Sequence, residues 1–329
     1  MDDNILLEDQ PRRRWRFLPS FPATGRGRRV LFWLFVAVLA LLVLYYPVGA
    51  MIVHTIDDDP DFAPAEVQPG ASRAVAVAAA LIDREINQHA WPANDPWFFP
   101  GVILDNMPNF QQGIIQALRR FALEMTDQIG RSRGSSQADA DLERARSLLN
   151  YSSDVWVWDL GVSIWPTAPS DQQYLAARDA LLNYNRRLAA GTAVFDRRAD
   201  NLLATLDRIA KDLGSTSAAL EQRIEEHSSD LIDFEADDRF YRTKGELYGY
   251  ALLMRELGKD FEDVLAERGL QKLWGDMLDN LFTAAALQPW FVVNGTPDSQ
   301  AWPSHLAAQG FFLLRARSQM FEVADILLK

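Results

Sequence analysis

The longest apolar run in the chain is Val30 to Val53, 24 residues without a charged side chain. As a helix it would extend about 36 Å at about 1.5 Å per residue, enough to cross a hydrocarbon core of about 30 Å. Beyond it the apolar positions follow helical spacing. Ser72 predicts a cap for a helix reaching about Ala90, with Leu81, Ile82 and Ile86 on one side. Asp105 or Asn106 predicts the start of a longer helix carrying Ile114, Ile115, Leu118, Phe121, Ala122, Met125 and Ile129. A helix over about 137–150 follows. Ser170 with Gln173 forms a capping-box pattern for the next helix, with Leu175, Leu181, Leu182 and Leu188. After Gly191 a stripe of Phe195, Ala199, Leu202, Leu203, Leu206, Ile209 and Leu213 runs to Gly214, which predicts an end, with a separate polar helix at about 216–228. Further helices are predicted at about 235–257, at about 260–287 with breaks near Gly269 and Gly275, and at about 304–328.

Three segments between these helices lack the period and alternate tryptophan with proline: WPANDPWFFPG (91–101), SSDVWVWDLGVSIWPTAPS (152–170) and QPWFVVNGTPDSQAWPS (288–304). Short extended pieces are expected at 155–158 and 291–293. The fold class is all-α: one N-terminal transmembrane helix and a bundle-like body of some eight to ten helices.

Charge orients the apolar run. Seven arginines (Arg12, Arg13, Arg14, Arg16, Arg26, Arg28 and Arg29) precede it, and Asp57, Asp58, Asp59 and Asp61 follow it. The positive-inside rule then puts the N-terminus in the cytoplasm and the body outside, which for a bacterium means an inner-membrane protein with a periplasmic domain. The expected organisation is a basic cytoplasmic tail at 1–29, a transmembrane helix at 30–53, an acidic, proline-rich stalk at 54–70 and the helical body at 71–329. A cleaved signal peptide is the rival reading, since Val48-Gly49-Ala50 resembles a small-residue cleavage site and Pro47 precedes it. Its 50 residues would exceed the usual span of about 15–30, and the apolar run continues past Ala50.

The whole chain has 33 basic and 45 acidic residues, with the excess of acid entirely beyond residue 56. An acidic body repels phosphate, so nucleic acid is excluded as a partner and anionic lipid surfaces are disfavoured. No cysteine is present, which excludes disulfides, thiol catalysis and thiolate metal sites. Histidines 54, 89, 227 and 305 show no metal-ligand spacing, and no phosphate loop, dinucleotide fingerprint or nucleophile elbow occurs. No catalytic residue, metal or cofactor is assigned.

Two groups of residues carry candidate chemistry. Trp91, Trp97, Trp158, Trp165, Trp290 and Trp302 lie in the Trp-Pro segments; they either close the ends of the bundle or form an exposed aromatic surface for a protein or glycan. Asp159, Asp237 and Asp238 are candidate acids. Acids in the first turn of a helix are also explained by the dipole, and neighbouring aspartates on a helix do not face each other, so a site at Asp237 or Asp238 needs a partner from elsewhere. Gly113, Gly245 and Gly310 sit near the starts of three apolar helices, where glycine costs about 1 kcal/mol against alanine unless backbones approach closely.

The stretches DDRFYRTKGELYGYALLMREL (237–257) and SHLAAQGFFLLRARSQMFEV (304–323), behind one N-terminal anchor, resemble an uncharacterised bacterial envelope family known as a domain of unknown function. The resemblance implies a single-pass inner-membrane protein with a helical outer domain, and no activity. The expected role is a scaffold or partner-binding module of the cell envelope, anchored in lipid through 30–53 and joined to an envelope protein or a second copy. The alternative is peptidoglycan or glycan binding, with or without hydrolysis, through the Trp-Pro loops.

Overall fold

The computed structural model describes residues 25–64, 66–130, 138–158, 161, 163–228, 233–296 and 302–329. It divides into a unit ending at Tyr45 and a unit from Tyr46 to Lys329. Helix α1, Gly25–Val53, carries the apolar run and passes from the first unit into the second. It is the one helix among the described residues that is long and apolar enough to cross a membrane.

The second unit is helical, with no strand among its described residues; Asn294 and Ser304 form an isolated antiparallel bridge. Its helices are α2 (Arg73–Asp83), α3 (Asn106–Glu124), α4 (Ala140–Leu149), α5 (Ser170–Ala189), α6 (Ala199–His227), α7 (Phe234–Asp260), α8 (Glu262–Glu267), α9 (Gln271–Ala285) and α10 (His305–Leu327). The all-α expectation holds.

The centre of the body is the α3–α7 pair, and glycine sets its geometry. A Cβ on Gly113 would lie 2.1 Å from the Arg242 carbonyl oxygen, and one on Gly245 would lie 1.8 Å from that of Phe110. One turn on, a Cβ on Gly249 would lie 2.9 Å from Cβ of Ala117. Small residues at i and i+4 therefore let the two backbones touch, and Phe110, Ile114, Phe121, Leu247, Tyr248 and Ala251 close around the seam in full burial. Gly310 behaves differently: its nearest outside atom is Leu220 Cδ1 at 4.0 Å, an ordinary contact.

Around this pair, α2 packs on α5 and α7, α4 on α5, and α10 on α6 and α9. The start of α2 is capped twice. Ser72 accepts from the Val75 amide as the sequence indicates, and Asp260 at the far end of α7 accepts from Ser72 Oγ, Arg73 N and Ala74 N at 2.6, 2.9 and 3.0 Å. A remote carboxylate thus satisfies orphan donors of the first turn.

Several expected boundaries change. Gly214 does not end a helix: α6 runs unbroken through it, and Arg317 of α10 lies over that position, 2.9 Å from where a Cβ would be, and donates to the Ala210 carbonyl. Gly275 likewise sits inside α9, whereas Gly269 adopts φ +64° and ends α8. Ser170 does not cap α5. Its hydroxyl is taken by the Ser152 and Val155 carbonyls and the Val155 amide, which tie the second Trp-Pro loop to the helix. The extended pieces at 155–158 and 291–293 form no strand, although Thr167 N donates to Val157 O and His305 N to Val293 O.

The acid-rich segment after α1 is strapped to the body. Lys244, buried on α7, spends its three protons on Asp58 Oδ2, Ala285 O and Leu287 O at 2.6, 2.5 and 2.9 Å. Tyr248 donates to Asp59 O, and Arg255 donates to Pro60 O and Phe62 O. Arg84 stacks 4.5 Å from the Phe62 ring centroid. Residues 57–62 are therefore a docked strap; a free, solvated spacer would not engage buried cations.

Candidate functional site

The first two Trp-Pro loops come together. Trp91 is buried and donates from its indole to Ser153 O at 3.0 Å, with its ring edge-on to Tyr174 at 5.3 Å. It belongs to the core rather than to an exposed surface. Phe98 meets Trp156 edge-on at 5.8 Å. Between the loops lies an open cavity of about 380 Å³ lined by Trp91, Phe99, Trp156, Asp95 and Asp171 among others. Asn94 bridges its walls, donating to Val155 O and Asp171 Oδ1. Burial, and then the neighbouring Asp171, raise the Asp95 carboxyl above the usual range.

The other five tryptophans of the candidate group are exposed: Trp97, Trp158, Trp165, Trp290 and Trp302, with Trp290 at 97%. Gln288, at the start of the third loop, donates to Asp58 in the strap. The loop's backbone is held by the Asn294–Ser304 bridge and by Asn294, which donates to Asp233.

The candidate acids separate. Asp159 lies outside the described residues. Asp237 stands in the first turn of α7 and Asp238 directly after it, and the partner from elsewhere is Asp105, at the start of α3. Burial, then Asp105 and Asp238, raise Asp237 to about 6, and burial with Asp105 also raises Asp238. Asn109 donates to Asp238 at 2.7 Å, and Asn106, with its amide nitrogen turned toward the acids, donates to Asp237 at 2.6 Å. The two asparagines offset the crowding of three carboxyls. No group of three or more ligating side chains suited to a metal occurs among the described residues.

A second acidic region, unannounced by any motif, lies in the groove between α3, α6 and α7. Glu124 is fully buried, and among the described residues its oxygens accept no hydrogen bond; Arg208 Nε stands at 3.3 Å. Burial raises its carboxyl to about 7. Glu246, also buried, accepts from Thr216 Oγ1 at 2.8 Å, and burial lifts it to about 8. Between them, Asp212 accepts from Arg120 and from Tyr250. Each acid sits on an otherwise ordinary helical stripe, so spacing alone could not single them out.

Residues 65–233, about half of the chain, match the model of a family described as an uncharacterized protein conserved in bacteria, DUF2333. The stretches 237–257 and 304–323 lie outside the matched segment. Neither a curated protein nor a solved structure matches the chain.

Proposed function

The chain belongs to this bacterial family, and on that premise we propose that it is a membrane-anchored scaffold or partner-binding protein of the cell envelope. In this reading α1 stays in the inner membrane, residues 1–29 face the cytoplasm and 71–329 form a periplasmic body. The observation that carries it is the junction. Ala50, the last residue of the would-be cleavage site, is buried inside α1, and Gly49 presses on Pro100, where a Cβ would come within 2.5 Å of the ring. A signal peptidase needs an accessible, extended site, so this geometry favours an anchor that is kept. The arginines before the run and the aspartates after it favour the stated orientation.

The test is a topology measurement on the full chain in bacterial membranes. Protease added outside spheroplasts should degrade the body and spare the first 29 residues, and the chain should resist alkaline extraction at full length. A body released at about residue 50, or protected from external protease, overturns the reading.

The cavity between the first two loops supports a second reading, glycan binding. Aromatic walls with two carboxyls, Asp95 and Asp171, suit a sugar ring stacked over indole and held by its hydroxyls. Asp95 and Asp171 share this cavity with Trp91 and Trp156. Peptidoglycan fragments should bind the intact protein, and Trp156→Ala with Asp171→Asn should abolish that binding. Turnover of a cell-wall substrate lost in either variant would replace the scaffold reading with an enzymatic one.

A further inference from the structure

The segment 97–104, WFFPGVIL, has no polar side chain, yet most of it faces outward. Trp97 is 77% exposed and Ile103 56%, and Phe98, Phe99, Val102 and Leu104 are open as well. Only Pro100 and Gly101 are buried. A contiguous apolar surface on an acidic body needs an occupant.

The loop is tied to the last turns of α1. Pro100 packs on Gly49, Tyr46 donates to the Trp97 carbonyl at 3.5 Å, and the Gly101 Cβ position lies 3.5 Å from Val53 Cγ1. Those turns are apolar too, and Val48, Met51 and Ile52 are exposed. The open surface of the loop is therefore continuous with that of the helix end. The run Val30 to Val53 is longer than a hydrocarbon core by about one turn. With the surplus at the C-terminal end of the run, that turn and the loop fixed to it would meet the membrane boundary.

We propose that residues 97–104 form a collar inserted in the interfacial layer of the bilayer that α1 crosses, with lipid as the occupant. The proposal rests on the reading of α1 as an anchor. The chemistry suits that depth. Aromatic rings concentrate at the interface. The backbone turns back on itself through Phe99 N to Pro96 O and Val102 N to Phe99 O, which lowers the cost of leaving water. No lysine or arginine occurs anywhere in the three Trp-Pro segments, so apolar area drives insertion, and anionic lipid is not required. The docked strap fits the same picture, since 57–62 are bound to the body within ten residues of Val53.

The absence of cysteine allows a clean test. Trp97→Cys, Ile103→Cys, Leu41→Cys and Lys272→Cys, each in the full chain, are spin-labelled and reconstituted in phosphatidylcholine vesicles. Collision with oxygen is then compared with collision with a water-soluble nickel chelate. At 97 and 103 oxygen should dominate several-fold, as at 41, with the reverse at 272. If 97 and 103 read like 272 while 41 reads as lipid, the collar is wrong and the anchor stands. If 41 also reads as water, both fall. Labels at 97 and 103 shielded from both relaxants, with spin–spin broadening, would put a second copy on the surface and overturn the proposal.

Discussion

The carbonyl oxygen of Phe110 occupies the space in which a side chain on Gly245 would begin, 1.8 Å from the Cβ position. The neighbouring atom is backbone, so nothing flexible can give way. Gly113 meets the Arg242 carbonyl in the same way.

Gly245→Ala and Gly113→Ala should therefore force α3 and α7 apart and cost about 3 kcal/mol or more, as overpacking of a closed seam does. Gly310→Ala should instead be neutral or stabilise by up to about 1 kcal/mol, because alanine has the better helix propensity and the space is open. Thermal unfolding of the detergent-solubilised protein measures both; equal effects at all three positions would remove the seam as the explanation.

Asp260 closes the start of α2 from the end of α7. Asp260→Ala strips acceptors from two amides and the Ser72 hydroxyl and should cost about 2–3 kcal/mol. Asp260→Asn, which can still accept, should cost less. The check is the same melting experiment, with hydrogen exchange reporting whether loss of protection centres on 72–83.

Lys244 holds the strap. Burial lowers its pKa, while Asp58 pulls the other way, and the ammonium is retained by three acceptors. Lys244→Met should free Asp58 and raise hydrogen exchange of residues 57–62 by about tenfold or more, with α10 unchanged. Unchanged exchange in the strap would mean that Arg84 and Arg255 hold it without Lys244.

Glu246 gives a pH dependence of definite sign. Its carboxyl is raised from 4.5 to about 8 by burial, so the folded chain holds a proton that the unfolded chain has released across that interval. Stability from this group is complete below pH 4.5 and is lost as pH rises through about 8. Glu124, raised to about 7, acts in the same direction. The melting temperature should fall between pH 5 and 8.5, and Glu246→Gln should flatten the fall while still able to accept from Thr216. A melting curve equally steep in the variant would place the dependence elsewhere.

The helices were legible because each buries one stripe, and a stripe repeats in the sequence at the helical period. Ser72 shows a local device at its clearest, since cap and capped amide are three residues apart. Gly214 shows the limit. Its surroundings in sequence say stop, but the helix continues, with Arg317, more than a hundred residues away, over the position. Ser170 fails as a cap because its hydroxyl is claimed by Ser152 and Val155 across the loop. Of the candidate site residues, Trp97 and Trp290 lie exposed, but Asp95 and Asp171 were passed over, because neither belongs to a motif until the two loops meet.

The sequence by itself determined the all-α fold, the apolar helix and its charge asymmetry, because hydrophobicity, propensity and charge are properties of a residue and its near neighbours. Only the tertiary structure decided that the acidic segment is a strap, that Gly113 and Gly245 face each other's backbones while Gly310 does not, and that WFFPGVIL lies open beside the end of α1. Those facts depend on which distant surfaces share a space, and a carboxylate, a glycine or an indole acquires its role from what packing brings within a few ångströms.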